Sequence, residues 1–314
     1  MEICIYGPNG EEHRLTAQEA SFLQPSLSLK YIASAAPIVL RLAARLSLRP
    51  LFILSKGGIR LVRRRMGYGG PLLNMEGMRI LDREIFGFSP LFLEAKQPGI
   101  RISLAKNSTG VIILYLMSIV FKNDHNISPS MIKNRNVLDA GANIGVFAVY
   151  SAKLGARKVY AFEPVAETYE ILKENIKLNK MENVVVPVNM ALGDRKGTST
   201  IHFDEACEGT ASLLLDGLKS PSGKKRSQKV KVTTVDSFME GRGKTAFIKM
   251  DVEGYEENVL LGARKTIGKC KPILSFSAYH KKDDKKRLPE VVREIRKDYS
   301  IRLIHGSEDV FFCD

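Results

Sequence analysis

Residues 136–150 read NVLDAGANIGVFAVY. An apolar run halts on an acid, Asp139; glycines stand at 141 and 145, and apolar spacing then resumes. A buried strand that ends on a charge and turns through glycine brings backbone close to whatever lies beyond it. "NRNVLDA" is therefore predicted as the first strand of a sheet, followed by a helix through Ala152. "ARKVYAFEP" reads as a second strand, and Pro164 opens a helix with Tyr169, Leu172 and Ile176 on one side. "NVVVPVNMALGD" is a third strand and its exit, "KGTSTIHFDE" a short excursion, and "VKVTTVDSF" an edge strand running into a turn. "KTAFIKMDVEG" is the fourth core strand, with Val259, Leu260, Ala263 and Ile267 as the buried stripe of its helix. "KPILSFSAYH" is the fifth strand, "PEVVREIRKDY" a helix, and "IRLIHGSEDVFFC" a closing hairpin. Strands alternating with helices in this way require a mostly parallel α/β sheet.

The pattern changes near residue 130, which predicts an N-terminal extension over 1–130 and the α/β domain over 131–314. Residues 20–75 contain no acid and nine Lys or Arg. Arg41, Arg45 and Arg49 fall four apart and share one helical face, with Ile38, Leu42 and Leu46 on another and Pro37 and Pro50 as bounds. Such a helix suits an anionic membrane surface, contacted through residues 20–70, or nucleic acid, or simple packing on the main domain. "VIILYLMSIVF" fits either one buried helix or a strand pair, and its uncharged stretch, residues 107–121, is shorter than the roughly 20 residues of a membrane span.

With 314 residues and 44% apolar content, the chain has enough material for a large core. Lys plus Arg is 48 against 34 Asp plus Glu, a formal charge of +14 that favours anionic surroundings without choosing among them. Cys4, Cys207, Cys270 and Cys313 form no CxxC pair, which argues against structural zinc and for reduced cysteines. No secretory signal is visible in "MEICIYGPNGEEHR", so the expected location is cytoplasmic, with peripheral contact at the inner membrane face through the basic segment.

Three strand ends carry acids: Asp139, Glu163 and Asp251. In an open parallel sheet, ligands bind beyond those ends. The loop "DAGANIG" lacks the Lys and "GKS" ending of a triphosphate loop and the three glycines of a dinucleotide fingerprint. An acid at 139 suits an ammonium group instead, and Glu163 one strand later suits a ribose diol, because a carboxylate accepts from both hydroxyls. A nucleoside with a cationic amino-acid tail satisfies both, and S-adenosyl-L-methionine is such a molecule.

These segments resemble the FkbM family of class I S-adenosylmethionine-dependent methyltransferases. The resemblance rests on "VLDAGANIGVFAVYSAKLGARKVYAFEP", "ALGDRKGTSTIHF", "TTVDSF", "FIKMDVEGYEENVLLGARKTI" and "KPILS", in that order, across about residues 136–275. It implies a Rossmann-like fold: a mostly parallel seven-stranded sheet, helices on both faces and an antiparallel C-terminal hairpin. It also implies that Asp139, Gly141, Asn143 and Gly145 hold the methionine part, that Glu163 takes the ribose, and that Ala191, Leu192 and Asp194 frame the adenine. Asp251 and Glu253 would face the acceptor. One departure stands out. Where family members carry a Glu after the fifth strand, this chain has Ser275 and Ser277, with His280 retained.

The resemblance implies an O-methyltransferase acting on a small molecule, a sugar or a lipid-linked glycan. His280 is the first choice of base, since an unperturbed imidazole titrates near about 6.5. Asp251 serves as base instead, or orients the acceptor or a divalent metal; no metal-ligand set is assigned. Lys249 is expected to lie along its strand or to pair with an acid, Glu256 to sit on a helix surface, and His202 and His305 to be structural or exposed. The rival enzyme is an RNA methyltransferase, favoured by the basic loop over 219–231 but lacking an "NPPY" or "DPPY" after the fourth strand. The rival outside enzymes is a scaffold on a membrane or partner protein. The oligomeric state is not legible in the sequence.

Overall fold

The computed structural model describes residues 3–15, 91–103, 115–204, 207–212, 225–306 and 308–314. The proposed basic helix with Arg41, Arg45 and Arg49, and the loop residues 213–224, lie outside the described residues. The chain divides into two compact units, Met1–Leu116 and Met117–Asp314.

In the first unit, β1 (Ile3–Tyr6), β2 (Glu12–Leu15), β3 (Phe92–Ala95) and β4 (Ile100–Ser103) form an antiparallel sheet of order β2-β1-β3-β4. Each strand has four residues. That is too short for period-two alternation to stand out in a sequence, and Ile3, Cys4 and Ile5 are all buried, which erases the alternation in β1.

A π-helical turn, Leu116–Phe121, begins on the last residue of the first unit, and α1 (Pro129–Ile132) follows in the second. So the end of "VIILYLMSIVF" is helical. Then come β5 (Asn136–Ala140), α2 (Val146–Lys153), β6 (Lys158–Phe162), α3 (Ala166–Leu178) and β7 (Val185–Val188). A second, four-stranded sheet follows: β8 (Ala191–Leu192), β9 (Gly197–Asp204), β10 (Cys207–Ser212) and β11 (Lys225–Thr233), in the order β10-β9-β11-β8. After α4 (Val235–Met239), the main sheet resumes with β12 (Thr245–Met250), α5 (Glu256–Leu261), α6 (Arg264–Cys270), β13 (Ile273–Ser277), α7 (Asp284–Ile295), β14 (Ile301–His305) and β15 (Asp309–Cys313).

The main sheet runs β14-β15-β13-β12-β5-β6-β7. β12, β13, β5, β6 and β7 pair in parallel, while β15 is antiparallel to β13 and β14. Side chains alternate across it as a pleat requires. Leu138, Ile248 and Leu274 pack with Val259, Ile267 and Val292 on one face. Val137, Val159 and Phe247 pack with Phe147, Leu172 and Ile176 on the other. All four residues of the expected stripe, Val259, Leu260, Ala263 and Ile267, are buried.

Local details depart from the sequence reading for identifiable reasons. The helix after β12 is broken in two, because Asp236 accepts from the Lys265 and Thr266 amides at 2.9 and 2.7 Å and so caps a fresh N-terminus. β11 is internal rather than an edge, lying between β9 and β8, and the expected turn after it is the helix α4, capped by Thr234 Oγ1 accepting from Ser237 N at 3.0 Å. Lys225–Lys229, read as loop, belong to β11 and pair with β9. The helix after β6 begins at Ala166, behind Pro164 and its cap Val165. α7 starts at Asp284, five positions before the Pro289 at which it was expected.

Candidate active site

The order of the main sheet reverses between β5 and β12, and the acids at the strand tips gather around that point. Gly141 has φ +73°, and a Cβ there would stand 1.9 Å from the Asp251 carbonyl oxygen, so the two strand ends meet backbone to backbone. Gly145 has φ +92° and caps α2; a Cβ there would stand 2.5 Å from Leu172 Cδ1. Gly141 excludes an L side chain by conformation and by space, since backbone stands in the way, and Gly145 disfavours one by conformation. Asn143, between them, is also left-handed at φ +50°, and its Oδ1 accepts from Ile144 N at 2.8 Å.

Glu163 wires this loop to the next. Its Oε2 accepts from Asn143 N at 3.0 Å and its Oε1 from Val165 N at 2.9 Å. Each oxygen keeps a second lone pair. Burial pushes the carboxyl up to about 7, with the two amides opposing. Ala191 and Leu192 are buried in β8, and Asp194, two residues on, is exposed.

Asp139 is fully buried on the face covered by α2, directly across from Lys249 in the β5–β12 register. Lys249 Nζ approaches Asp139 Oδ1 at 3.1 Å and donates to Gly141 O at 2.7 Å. Burial works against the ammonium, but the Asp139 and Asp251 carboxylates outweigh it and hold Lys249 above its ordinary value. Burial raises the Asp139 carboxyl against the opposing pull of the same lysine, and the lysine ties the first acid to the glycine turn. Of the two expectations for Lys249, pairing with an acid is the one realised.

The same row continues. Ser275, beside Lys249 in β13, is buried, and its Oγ lies 2.9 Å from His125 Nδ1. His125 packs edge-on against Phe147 with ring centroids 5.5 Å apart, and burial holds its imidazole down to about 3, hence neutral. His125 is a site residue that the sequence did not reveal. It sits in "NDHNIS", where neither periodicity nor motif marks it.

Beyond β12, Glu253 adopts φ +55° and Gly254 +92°. This turn aims Asp251 and Glu253 at His280, whose Nε2 lies 3.6 Å from Asp251 Oδ1 and 3.4 Å from Glu253 Oε2. His280 Nδ1 lies 3.1 Å from Glu256 Oε1. Glu256 is not on a surface: it is completely buried, and Oε1 accepts from Val252 N at 3.0 Å. Reaching back from the first turn of α5 to the preceding amides is what overrides its polarity. Burial would push His280 down, but Glu256 first, and then Asp251 and Glu253, lift it to about 9. Burial and Asp251 push Glu253 up to about 8. Asp251 itself is held below the usual range, because Lys249 and His280 overcome its burial. At neutral pH, then, the cluster holds an ionised Asp251 facing an imidazolium.

The structure thus brings Asp139, Gly141, Asn143, Gly145 and Glu163 together in one wired turn, and Asp251, Glu253 and His280 in a second cluster. His202 is half-buried and His305 exposed, 2.7 Å from Asp309.

A sheet of this order, with a glycine turn and acids at its switch point, is the Rossmann-like fold of class I methyltransferases. Residues 139–301, just over half of the chain, match the family model described as the methyltransferase FkbM domain, and the chain belongs to that family. Among curated relatives, the methyltransferase sdnD of Sordaria araneosa is 33% identical over 82 residues, 26% of this chain and 32% of that protein. A ribosomal protein L11 methyltransferase of Herpetosiphon aurantiacus is 31% identical over 113 residues, 36% of this chain and 32% of the relative. The tRNA (guanine(37)-N(1))-methyltransferase Trm5b of Methanocaldococcus jannaschii is 40% identical over 55 residues, 18% of this chain and 16% of the relative. The chain therefore spans about a third or less of the length of these relatives. The crystal structure of the methyltransferase FkbM from Methylobacillus flagellatus aligns with a TM-score of 0.44 and 20% identity, covering 65% of this chain and 53% of that one.

Proposed function

We propose that the protein is an S-adenosylmethionine-dependent O-methyltransferase whose acceptor is a hydroxyl of a small molecule, a sugar or a lipid-linked glycan. The observation that carries this reading is Glu163, which spans the Asn143 and Val165 amides at the switch point while keeping a lone pair on each oxygen. Two vicinal hydroxyls suit those lone pairs. Asp139 supports the cationic end. Its Oδ2 is buried without a hydrogen-bond partner, and an ammonium would supply one. Ala191 and Leu192 offer apolar surface to a base, with Asp194 at its edge.

S-adenosylmethionine, held by Asp139, Glu163 and the glycine turn, would supply a transferable methyl group on a sulfonium. Asp251, ionised and partly exposed, takes the hydroxyl proton. His280 steers Asp251 and, as an imidazolium, balances its charge. Glu253 shapes the acceptor side from the left-handed turn. His280, the first choice of base from sequence alone, fits a positioning role at neutral pH.

Nucleic acid is the second reading, favoured by the +14 charge and the 55-residue likeness to the tRNA enzyme. Against it stands the ionised, partly exposed Asp251 on the acceptor side, which repels phosphate. Incubation with methyl-labelled cofactor tests the choice. Label appearing in an alkali-stable ether of a sugar or lipid-linked glycan supports the first reading, and label in RNA supports the second. The basic stretch 20–70 would bring the protein to anionic lipid, and retention on phosphatidylserine vesicles, lost on removing residues 1–65, tests that.

A further inference from the structure

Around His280, atoms of three residues, Asp251, Glu256 and His280 itself, find no hydrogen bond within the protein. One oxygen of Asp251, one of Glu256 and one ring nitrogen of His280 lie within 4.8 Å of one another. Atoms bound to a common ion stand at most two bond lengths apart, roughly 4–5 Å for bonds of about 2.0–2.5 Å. The His280 side chain is only 9% exposed and Glu256 is completely buried. Yet Glu256 Oε2, Asp251 Oδ1 and both ring nitrogens of His280 make no hydrogen bond. The 3.1 Å approach of His280 Nδ1 to Glu256 Oε1 is an ion-pair distance without hydrogen-bond alignment. Buried polar atoms rarely remain in this state, and several within one cluster call for a ligand from outside the protein. Glu253 Oε2, 3.4 Å from His280 Nε2, borders the same point.

We propose that Asp251, Glu256 and His280 form a binding site for a divalent transition-metal cation. Two carboxylates and one imidazole make a mixed oxygen and nitrogen set, which suits Mn²⁺, Fe²⁺ or Zn²⁺ better than the all-oxygen preference of Mg²⁺ or Ca²⁺. The surroundings hold the ligands in place. Glu256 Oε1 is fixed by the Val252 amide at 3.0 Å, and the Tyr279 ring lies against His280, tilted by 42° with centroids 4.1 Å apart. Asp251 retains a partly exposed edge, so an ion there would have one side open to an acceptor oxygen. The inference deepens the methyltransferase reading, because this is the acceptor side of the proposed site; the ion would displace the imidazolium proton of His280 on binding, and cation binding itself needs no turnover.

The test uses the full chain stripped with chelator and titrated with Mn²⁺, following the loss of the free-ion paramagnetic resonance signal. One Mn²⁺ per chain is expected. His280→Gln and Asp251→Asn, each checked for a cooperative thermal transition, should weaken it by about tenfold to a hundredfold. Zn²⁺ should compete, and an equal concentration of Mg²⁺ should not. No saturable binding of Mn²⁺, or binding unchanged in both variants, overturns the site; displacement by equimolar Mg²⁺ overturns the choice of ion class. A parallel titration with S-adenosylmethionine separates the two ideas. Cofactor binding without Mn²⁺ binding sinks only the metal site, and Mn²⁺ binding without cofactor binding sinks only the methyltransferase reading.

Discussion

The tips of β5 and β6 and the tips of β12 and β13 are neighbours in one sheet, yet they are built on opposite terms. On the first side, the polar groups serve one another apart from the Asp139 carboxylate, whose two oxygens are buried without hydrogen bonds. Glu163 takes two loop amides, Lys249 takes Asp139 and the Gly141 carbonyl, and Phe162 O receives the Gly141 and Ala142 amides at 3.1 and 2.8 Å. On the second side, Asp251 Oδ1, Ser277 Oγ, Glu256 Oε2 and the His280 ring nitrogens are buried without hydrogen bonds. The first side is a wired turn with one orphan carboxylate, Asp139. The second is a charged cluster with orphan atoms on three residues, Asp251, Glu256 and His280, held close at a cost in desolvation.

The largest effect should come from closing the first side. Gly141→Ala places a Cβ 1.9 Å from the Asp251 carbonyl at a left-handed φ, and should cost about 4 kcal/mol in urea denaturation and abolish cofactor binding. A variant with unaltered stability would show that the β5 and β12 tips do not meet as described. Next in size is Asp251→Asn on the second side. It should lower kcat by about 10²–10³-fold while cofactor affinity, measured calorimetrically, stays unchanged. A matching loss of cofactor affinity would dissolve the distinction between the two sides.

Glu163→Gln is expected to be milder. Replacing a charged acceptor with a neutral one should weaken cofactor binding by about 1.5–3 kcal/mol. It also carries a pH signature. The folded carboxyl is raised to about 7 from an ordinary 4.5, so the folded state holds the proton more tightly than the unfolded one. Its contribution to stability is therefore complete below about 4.5 and declines as pH rises toward about 7. Chemical denaturation between pH 4.5 and 7.5 should show that decline in the native protein and lose it in Glu163→Gln. The smallest change is Ser275→Ala, which removes the partner of the neutral His125 and should cost about 1 kcal/mol in thermal denaturation. A large loss of activity with stability intact would move Ser275 from supporting row to catalytic machinery.

The difference between the sides also explains what the sequence made legible. The glycine turn, the strand acids and the apolar stripe of Val259, Leu260, Ala263 and Ile267 follow local rules, and the structure places each where spacing puts it. Glu256 broke the local rule: a charged residue on an amphipathic helix reads as surface, and only the fold shows the Val252 amide it must satisfy. His125 reaches Ser275 across 150 positions, a contact that no windowed pattern contains. The same applies to the state of His280. Its residue type suggests a base near neutrality, and three carboxylates arriving from β12 and α5 reverse that expectation. In the first unit, four-residue strands with two successive buried faces left nothing periodic to read.

The most direct test is a calorimetric titration of the intact chain with S-adenosylmethionine, set beside Asp139→Ala. A single saturable site in the native protein, weakened at least about tenfold in a variant that still melts cooperatively, is the expected result. No heat of binding at millimolar cofactor, or equal affinity in both proteins, would contradict a cofactor socket built from the tips of β5 and β6.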